Sequence, residues 1–203
     1  MFIITADQVD SRHLDDLAGP AAHVLTERYG SRLALPVDRN AGDEIQALTG
    51  DAETALDIIA DLTRTGAWSV GCGVGRVRTP LPANTREASG PGFIAARTAV
   101  ERAKNAPLRF ALVSESPAAA GAEALIELLL LIRSRRTPEG WELFDLLASG
   151  MTQAAAAKSL GISPQAASQR ARAAGIRPEL AAIPALAGVL ARVDATDEQN
   201  GQP

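Results

Sequence analysis

Residues 152–175 read Thr152-Gln153-Ala-Ala-Ala-Ala157-Lys158-Ser-Leu160-Gly161-Ile162-Ser163-Pro164-Gln165-Ala-Ala167-Ser168-Gln169-Arg170-Ala171-Arg172-Ala-Ala174-Gly175. Caps, a glycine and a proline punctuate this stretch into two short helices. Thr152 has an N-cap side chain, and the spacing predicts a helix over Gln153 to Leu160. Gly161 supplies the positive φ of a tight turn. Ser163 caps a second helix, and Pro164 takes its first position, where no backbone donor is lost. That helix runs from Gln165 to Ala174 and stops at Gly175. The small Ala157 lets the two helices cross closely, and Leu160, Ile162, Ala167 and Ala171 form a shared interior. Ser163, Gln165, Ser168, Gln169 and Arg172 are left outward, polar groups of the kind that reach base edges in a major groove. Thr152, Lys158, Arg170 and Arg177 are placed for phosphate oxygens. The pattern is that of a helix-turn-helix, and double-stranded DNA is its expected partner. The competing reading is a three-helix packing unit that meets no DNA.

Outward from this stretch, Trp141 to Leu147 forms an amphipathic helix ended by Ser149-Gly150. Leu180 to Val193 forms a last helix, so residues 137–193 make an all-α domain. Residues 194–203, with Ala195 the only apolar residue, are expected to be a disordered tail. The string Thr152-Gln153, Leu160-Gly-Ile-Ser-Pro-Gln165, Ser168-Gln-Arg170 resembles the reader helices of many bacterial repressors and of sigma-factor region 4.

Upstream, Ala118 to Arg136 predicts a long connecting helix, and residues 116–136 form the connector. Leu125, Ile126 and Leu128 to Ile132 surround nearly its whole circumference, which predicts burial on several sides. It packs between domains or against a second copy, and a homodimer is expected. Arg133, Arg135 and Arg136 follow, either as a solvated helix end or as phosphate contacts.

The chain has 203 residues, room for one domain or two small ones. It is 46% hydrophobic and 22% charged, as a globular protein is, but only 3% aromatic, so Ala, Val, Leu and Ile must build its core. The single Cys72 excludes an internal disulfide and a cysteine-based zinc cluster. No cationic segment leads into an apolar stretch at the start, and no apolar run is long enough for a bilayer. A cytoplasmic protein without membrane contact is expected. The net charge of -4 hides an asymmetry: -5 over residues 1–132, +4 over 133–178 and -3 over 179–203. A basic segment between acidic ones suits a small nucleic-acid module, or a surface fluctuation.

Residues 1–115 alternate strand and helix patterns. Phe2 to Ala6 reads as a buried strand, and Asp15 to Tyr29 as a helix beginning or bending at Pro20 and ended by Gly30. Arg32 to Asp38 reads as an edge strand, because it contains Pro36. A turn at Ala41-Gly42-Asp43 leads into Glu44 to Leu48. A helix from Asp51 to Leu62, a glycine-rich strand from Trp68 to Val77, a helix from Pro91 to Lys104 and a strand from Leu108 to Val113 follow. The order β-α-β-β-α-β is ferredoxin-like, so the fold class is α+β with an all-α appendage. Right-handed crossovers set the first and third strands side by side and antiparallel. The end of the first strand, at Asp7, then lies beside the hairpin that holds Asp43. Paired carboxylates there suit Mg²⁺, while the same two residues also read as a turn cap and a turn residue. Gly71, Gly73 and Gly75 alternate along a strand, which favours close backbone packing over a phosphate loop.

The string Thr5-Ala-Asp7-Gln-Val-Asp10-Ser-Arg12, with Gly42-Asp43-Glu44 later, resembles the two metal-aspartate motifs of class III nucleotidyl cyclases. More closely, Asp10-Ser-Arg12, Gly42-Asp-Glu-Ile-Gln46, Val70-Gly-Cys-Gly-Val-Gly75 and Gly90-Pro-Gly-Phe-Ile-Ala-Ala-Arg97 resemble the SatD family, over most of residues 1–175. The resemblance implies a cyclase-like fold with Asp7 and Asp43 at metal positions. It implies Arg39 where cyclases hold a purine-contacting side chain. It also implies Arg97 as the helix arginine that faces transferred-phosphate charge. Phe93 stands where active cyclases place an asparagine, and it offers a phosphate no hydrogen bond. The expected function is a DNA-binding transcriptional regulator whose N-terminal domain dimerises or senses a nucleotide or metal. The alternative is a Mg²⁺-dependent nucleotide-processing enzyme with a DNA-binding appendage.

Overall fold

The computed structural model describes residues 1–40 and 42–199. The chain is α+β, with a five-stranded mixed sheet and eight α-helices among the described residues. In order these are β1 (Phe2–Gln8), α1 (Ala18–Tyr29), β2 (Leu35–Arg39), β3 (Glu44–Thr49), α2 (Ala52–Thr63), β4 (Trp68–Val74), α3 (Pro91–Ala103), β5 (Phe110–Val113), α4 (Ala119–Ser134), α5 (Pro138–Ala148), α6 (Gln153–Ser159), α7 (Pro164–Ala173) and α8 (Ile176–Gln199). Two compact units result. One holds Met1–Glu127 and the last part of α8 from Leu186; the other is Leu128–Ala185. The break falls inside α4, within the connector expected at residues 116–136, and α8 from Leu186 belongs to the first unit rather than to the expected 137–193 domain. Among the described residues no single helix is long and apolar enough to cross a membrane.

The sheet order is β2-β3-β1-β4-β5. β1 lies between β3 and β4 and is antiparallel to both, while β5 runs parallel to β4. β3 and β4 are buried along their whole length, as is nearly all of β1, so both faces of the sheet are covered. One face carries Ile4, Val70, Cys72 and Val74 and packs on α2; burial pushes the Cys72 thiol up to about 12. The other face carries Ile3, Gly71 and Gly73 and lies under α3. A Cβ on Gly73 would sit 2.2 Å from the Ala96 backbone nitrogen, and one on Gly71 2.2 Å from that of Val100. These two glycines set how close α3 comes to the sheet. Beyond Val74 the chain leaves the sheet, short of the expected Val77. It crosses to β2, where the Thr85 hydroxyl donates to Pro36 O at 2.6 Å. Pro36 is in an edge strand, as its missing N–H requires. The other edge, β5, is blunted by Glu123, which accepts from the Leu112 N–H at 2.8 Å and from Arg102 at 3.1 Å.

Two further expectations are corrected. Gly30 has φ -49° and continues as a 3-10 turn, Gly30–Arg32, so it does not stop α1 in a left-handed conformation. Residues 194–199, expected in a disordered tail, continue α8 to Gln199; residues 200–203 lie outside the described residues. Burial of Leu190 and Val193 carries that helix past the point where its apolar pattern fades.

Asp51 caps α2, its Oδ2 accepting from the Thr54 N–H at 3.0 Å and from the Thr54 hydroxyl. The Thr54 hydroxyl and the backbone N–H groups hold the Asp51 carboxyl below the ordinary aspartate range, against an opposing effect of burial. A depressed folded-state pKa adds stability that is complete above the unfolded value and lost as the pH falls through the depressed one. Asp51→Asn is therefore expected to be less stable than wild type at neutral pH and to converge on it in acid. Urea midpoints over a pH series check this; a difference that stays constant with pH would refute it.

Candidate functional site

In the helical unit three side-chain caps start the three short helices. Thr137 accepts from the Gly140 N–H at 3.2 Å, Thr152 from that of Ala155 at 3.3 Å, and Ser163 from that of Ala166 at 3.1 Å. Gly161 has φ +66°, and the Ile162 N–H returns to Ala157 O at 3.0 Å, which closes the turn between α6 and α7. Leu143, Ala156, Ala171, Ala174 and Ile176 form the core, with Phe144, Leu146, Leu147, Met151 and Leu160 packed around it.

This core fixes which side of α7 faces out. Ala167 and Ala171 are buried. Gln165, Ser168, Gln169 and Arg172 stand at i, i+3, i+4 and i+7 on the opposite side, with Ser168 half-buried and the others exposed. Ser163 begins this row. Its oxygen serves the cap, and its hydroxyl hydrogen is left to donate outward. Lys158 and Thr152 are exposed, and Thr152 is committed to its cap. Arg170 turns away from the row, its Nη1 3.6 Å from the Glu142 carboxylate and 3.4 Å from Glu139 O on α5. Arg177 donates to Gln153 Oε1 at 2.9 Å.

Arg133 and Arg136 are neither a solvated helix end nor phosphate contacts. Both are buried and paired with Glu179, whose side chain is 0% exposed, and both lie over the rings of Trp141 and Phe144. Arg135 remains exposed. α4 is not buried all round either. Ile126, Leu129 and Leu130 are buried, while Leu128, Leu131 and Ile132 are 55%, 36% and 41% exposed.

In the sheet unit, the carboxylate set opposite Asp7 is Glu44, its register partner. By strand alternation Asp7 shares the α3 face with Ile3 and Thr5. Lys104 reaches it at 3.0 Å and also reaches Glu101 at 3.0 Å. Burial opposes the charge on Lys104, but the hydrogen bonds to Asp7 and Glu101 outweigh it and hold its pKa above the ordinary lysine value. Arg97 lies 3.5 Å from Glu44 Oε2, and Asn40 donates to Glu44 Oε1 at 2.9 Å. Behind them the Gln46 side chain donates to Thr5 Oγ1 at 3.0 Å.

Asp43 is held differently. Its carboxylate accepts from the Ser11 hydroxyl, and its carbonyl accepts from the Gln8 N–H at 3.1 Å. It lines a hollow with Gln8, Ser11, Arg12, Asp16 and Arg39. There Arg39 donates to Asp16 at 2.7 Å, and the Ala18 N–H together with Arg39 holds the Asp16 carboxyl below the ordinary range. Four residues expected around one nucleotide and metal are thus divided: Asp7 and Arg97 in one charged network, Arg39 and Asp43 in another. A strand-end argument brings backbones together, but Asp43 stays in the turn before β3 with its carboxylate on Ser11, and the residue in register with Asp7 is Glu44. Glu44 and Lys104 were not singled out from the sequence; pairing Asp7 by register would have found Glu44. The donor set at Asp7 does not suit Mg²⁺, because Lys104 and Arg97 already neutralise both carboxylates. Phe93 packs with Ile3, Leu35, Leu48 and Ala96 and offers no polar group.

No protein-family model, curated protein or solved structure matches this chain.

Proposed function

We propose that the chain is a DNA-binding regulator. In this reading α6 and α7 are a helix-turn-helix, with α7 the helix that enters the major groove. The sheet unit is then a ferredoxin-like, nucleotidyl-cyclase-like domain of the SatD kind, with α3 and β5 added, and it governs binding without turning over a nucleotide. The single observation that carries the reading is the row of exposed Gln165, Gln169 and Arg172 with the half-buried Ser168, set against the buried Ala167 and Ala171. The row joins hydrogen-bonding side chains to a segment, between Gly150 and Pro178, that has no Asp or Glu, which suits a surface that meets a polyanion. Regulation rather than catalysis is favoured by the neutralised Asp7 and Glu44 and by the apolar setting of Phe93. A homodimer belongs to the same reading. Leu128, Leu131 and Ile132 form an exposed apolar ridge on α4, and a two-fold partner would cover it and present two reading helices.

Fluorescence anisotropy on a duplex selected by the wild-type protein tests this. Arg172→Ala should weaken binding about 10- to 100-fold, as expected for loss of one bidentate base contact. Arg170→Ala, whose guanidinium is spent on α5, should change it less than about 3-fold. Light scattering should show two chains per duplex. A wild-type protein without preference for any duplex, or an Arg170→Ala variant as impaired as Arg172→Ala, would overturn the reading.

A further inference from the structure

We infer that α7 reads a purine-rich core, with adenines facing Gln165 and Gln169 and a guanine facing Arg172. This inference rests on the DNA-binding reading and goes on to name the bases. A glutamine amide matches the N6 donor and N7 acceptor of adenine, and a guanidinium matches the O6 and N7 acceptors of guanine. All three side chains are exposed, and among the described residues none has an intramolecular partner to give up. The neighbouring cations differ: Arg170 is paired with Glu142, and Arg177 with Gln153. Between Gly150 and Pro178 the sequence has no Asp or Glu. The reading segment therefore lacks the carboxylate that accepts from the cytosine N4 amine, and bases on the contacted strand are restricted to those that glutamine and arginine match.

Spacing sets the order. At about 1.5 Å per residue, Gln165 and Gln169 are separated by roughly 6 Å, and Gln169 and Arg172 by roughly 4.5 Å. Against a base-pair step of about 3.4 Å, the two adenines fall about two steps apart and the guanine about one step beyond the second. Ser168 lies between them on the same face, short enough to let α7 approach the groove floor.

Selection from random duplexes by the full chain, followed by sequencing, tests the assignment. The wild-type motif should hold adenine, any base, adenine, guanine, in one strand sense or the other. Arg172→Ala should lower the guanine preference about tenfold and leave the adenines, and Gln169→Ala should relax only the second adenine. A clear motif without this purine order, or one whose guanine survives Arg172→Ala, overturns the base assignment and leaves DNA binding standing. No enrichment of any sequence overturns both.

Discussion

Glu179→Ala is expected to lower the stability of the helical unit by about 3–5 kcal/mol. Arg133 Nη1 lies 2.5 Å from Glu179 Oε1, and Arg136 Nη2 bonds Glu179 Oε2. Arg136 also donates to Ala174 O at 3.0 Å and 3.2 Å, which ties the end of α7 to the link between α4 and α5. The three side chains are at most 7% exposed. Removing the acid leaves two cations that water cannot reach, and their positions over the rings of Trp141 and Phe144 do not replace an anion. Small domains are stable by only about 5–15 kcal/mol, so the loss removes a large share of the helical unit's stability. Urea denaturation followed by circular dichroism checks this. Replacing all three side chains by apolar residues of similar volume should recover most of the loss, because an apolar core escapes the desolvation cost. A loss below about 1 kcal/mol in Glu179→Ala would mean that water reaches the pair in solution.

Gly73→Val should cost more than about 3 kcal/mol, above the usual range for an overpacked core. The added Cβ would lie 2.2 Å from Ala96 N and 2.4 Å from Gly92 O, atoms of the α3 backbone that no rotamer change moves. The whole helix must lift off the sheet, and the cluster of Ile3, Leu35, Leu48 and Ala96 would open with it. Gly121 on α4 is the control. A Cβ there meets nothing within 4 Å, so Gly121→Ala should stabilise the chain by about 0.5–1 kcal/mol through helix propensity. Thermal and urea denaturation of both variants decide the matter. Equal stability of Gly73→Val and wild type would show that α3 does not sit against β4.

The helical unit was the more legible part of the sequence. Thr152, Ser163, Pro164 and Gly161 act within four residues of themselves, and their roles as caps, first helical residue and turn are the ones the structure shows. The pairing of β1 with β3 was legible for a related reason, since a short hairpin and the hand of the crossovers leave few arrangements. The charged side chains were much less so. Arg133, Arg136 and Arg170 were all open in sequence to a reading as phosphate contacts. Two of them are buried on an acid more than forty residues away, and the third lies against α5.

The order of elements and the caps and apolar sides of α6 and α7 were thus determined by the sequence alone, because backbone sterics, hydrogen-bond geometry and residue periodicity act over a few positions. Only the tertiary structure decided that Asp7 meets Glu44 and Lys104 rather than Asp43, that α3 rests directly on Gly71 and Gly73, and that Glu179 holds two buried arginines. Long flexible side chains choose their partners by burial and by the face on which strand register places them. Neither is set until distant segments have packed together.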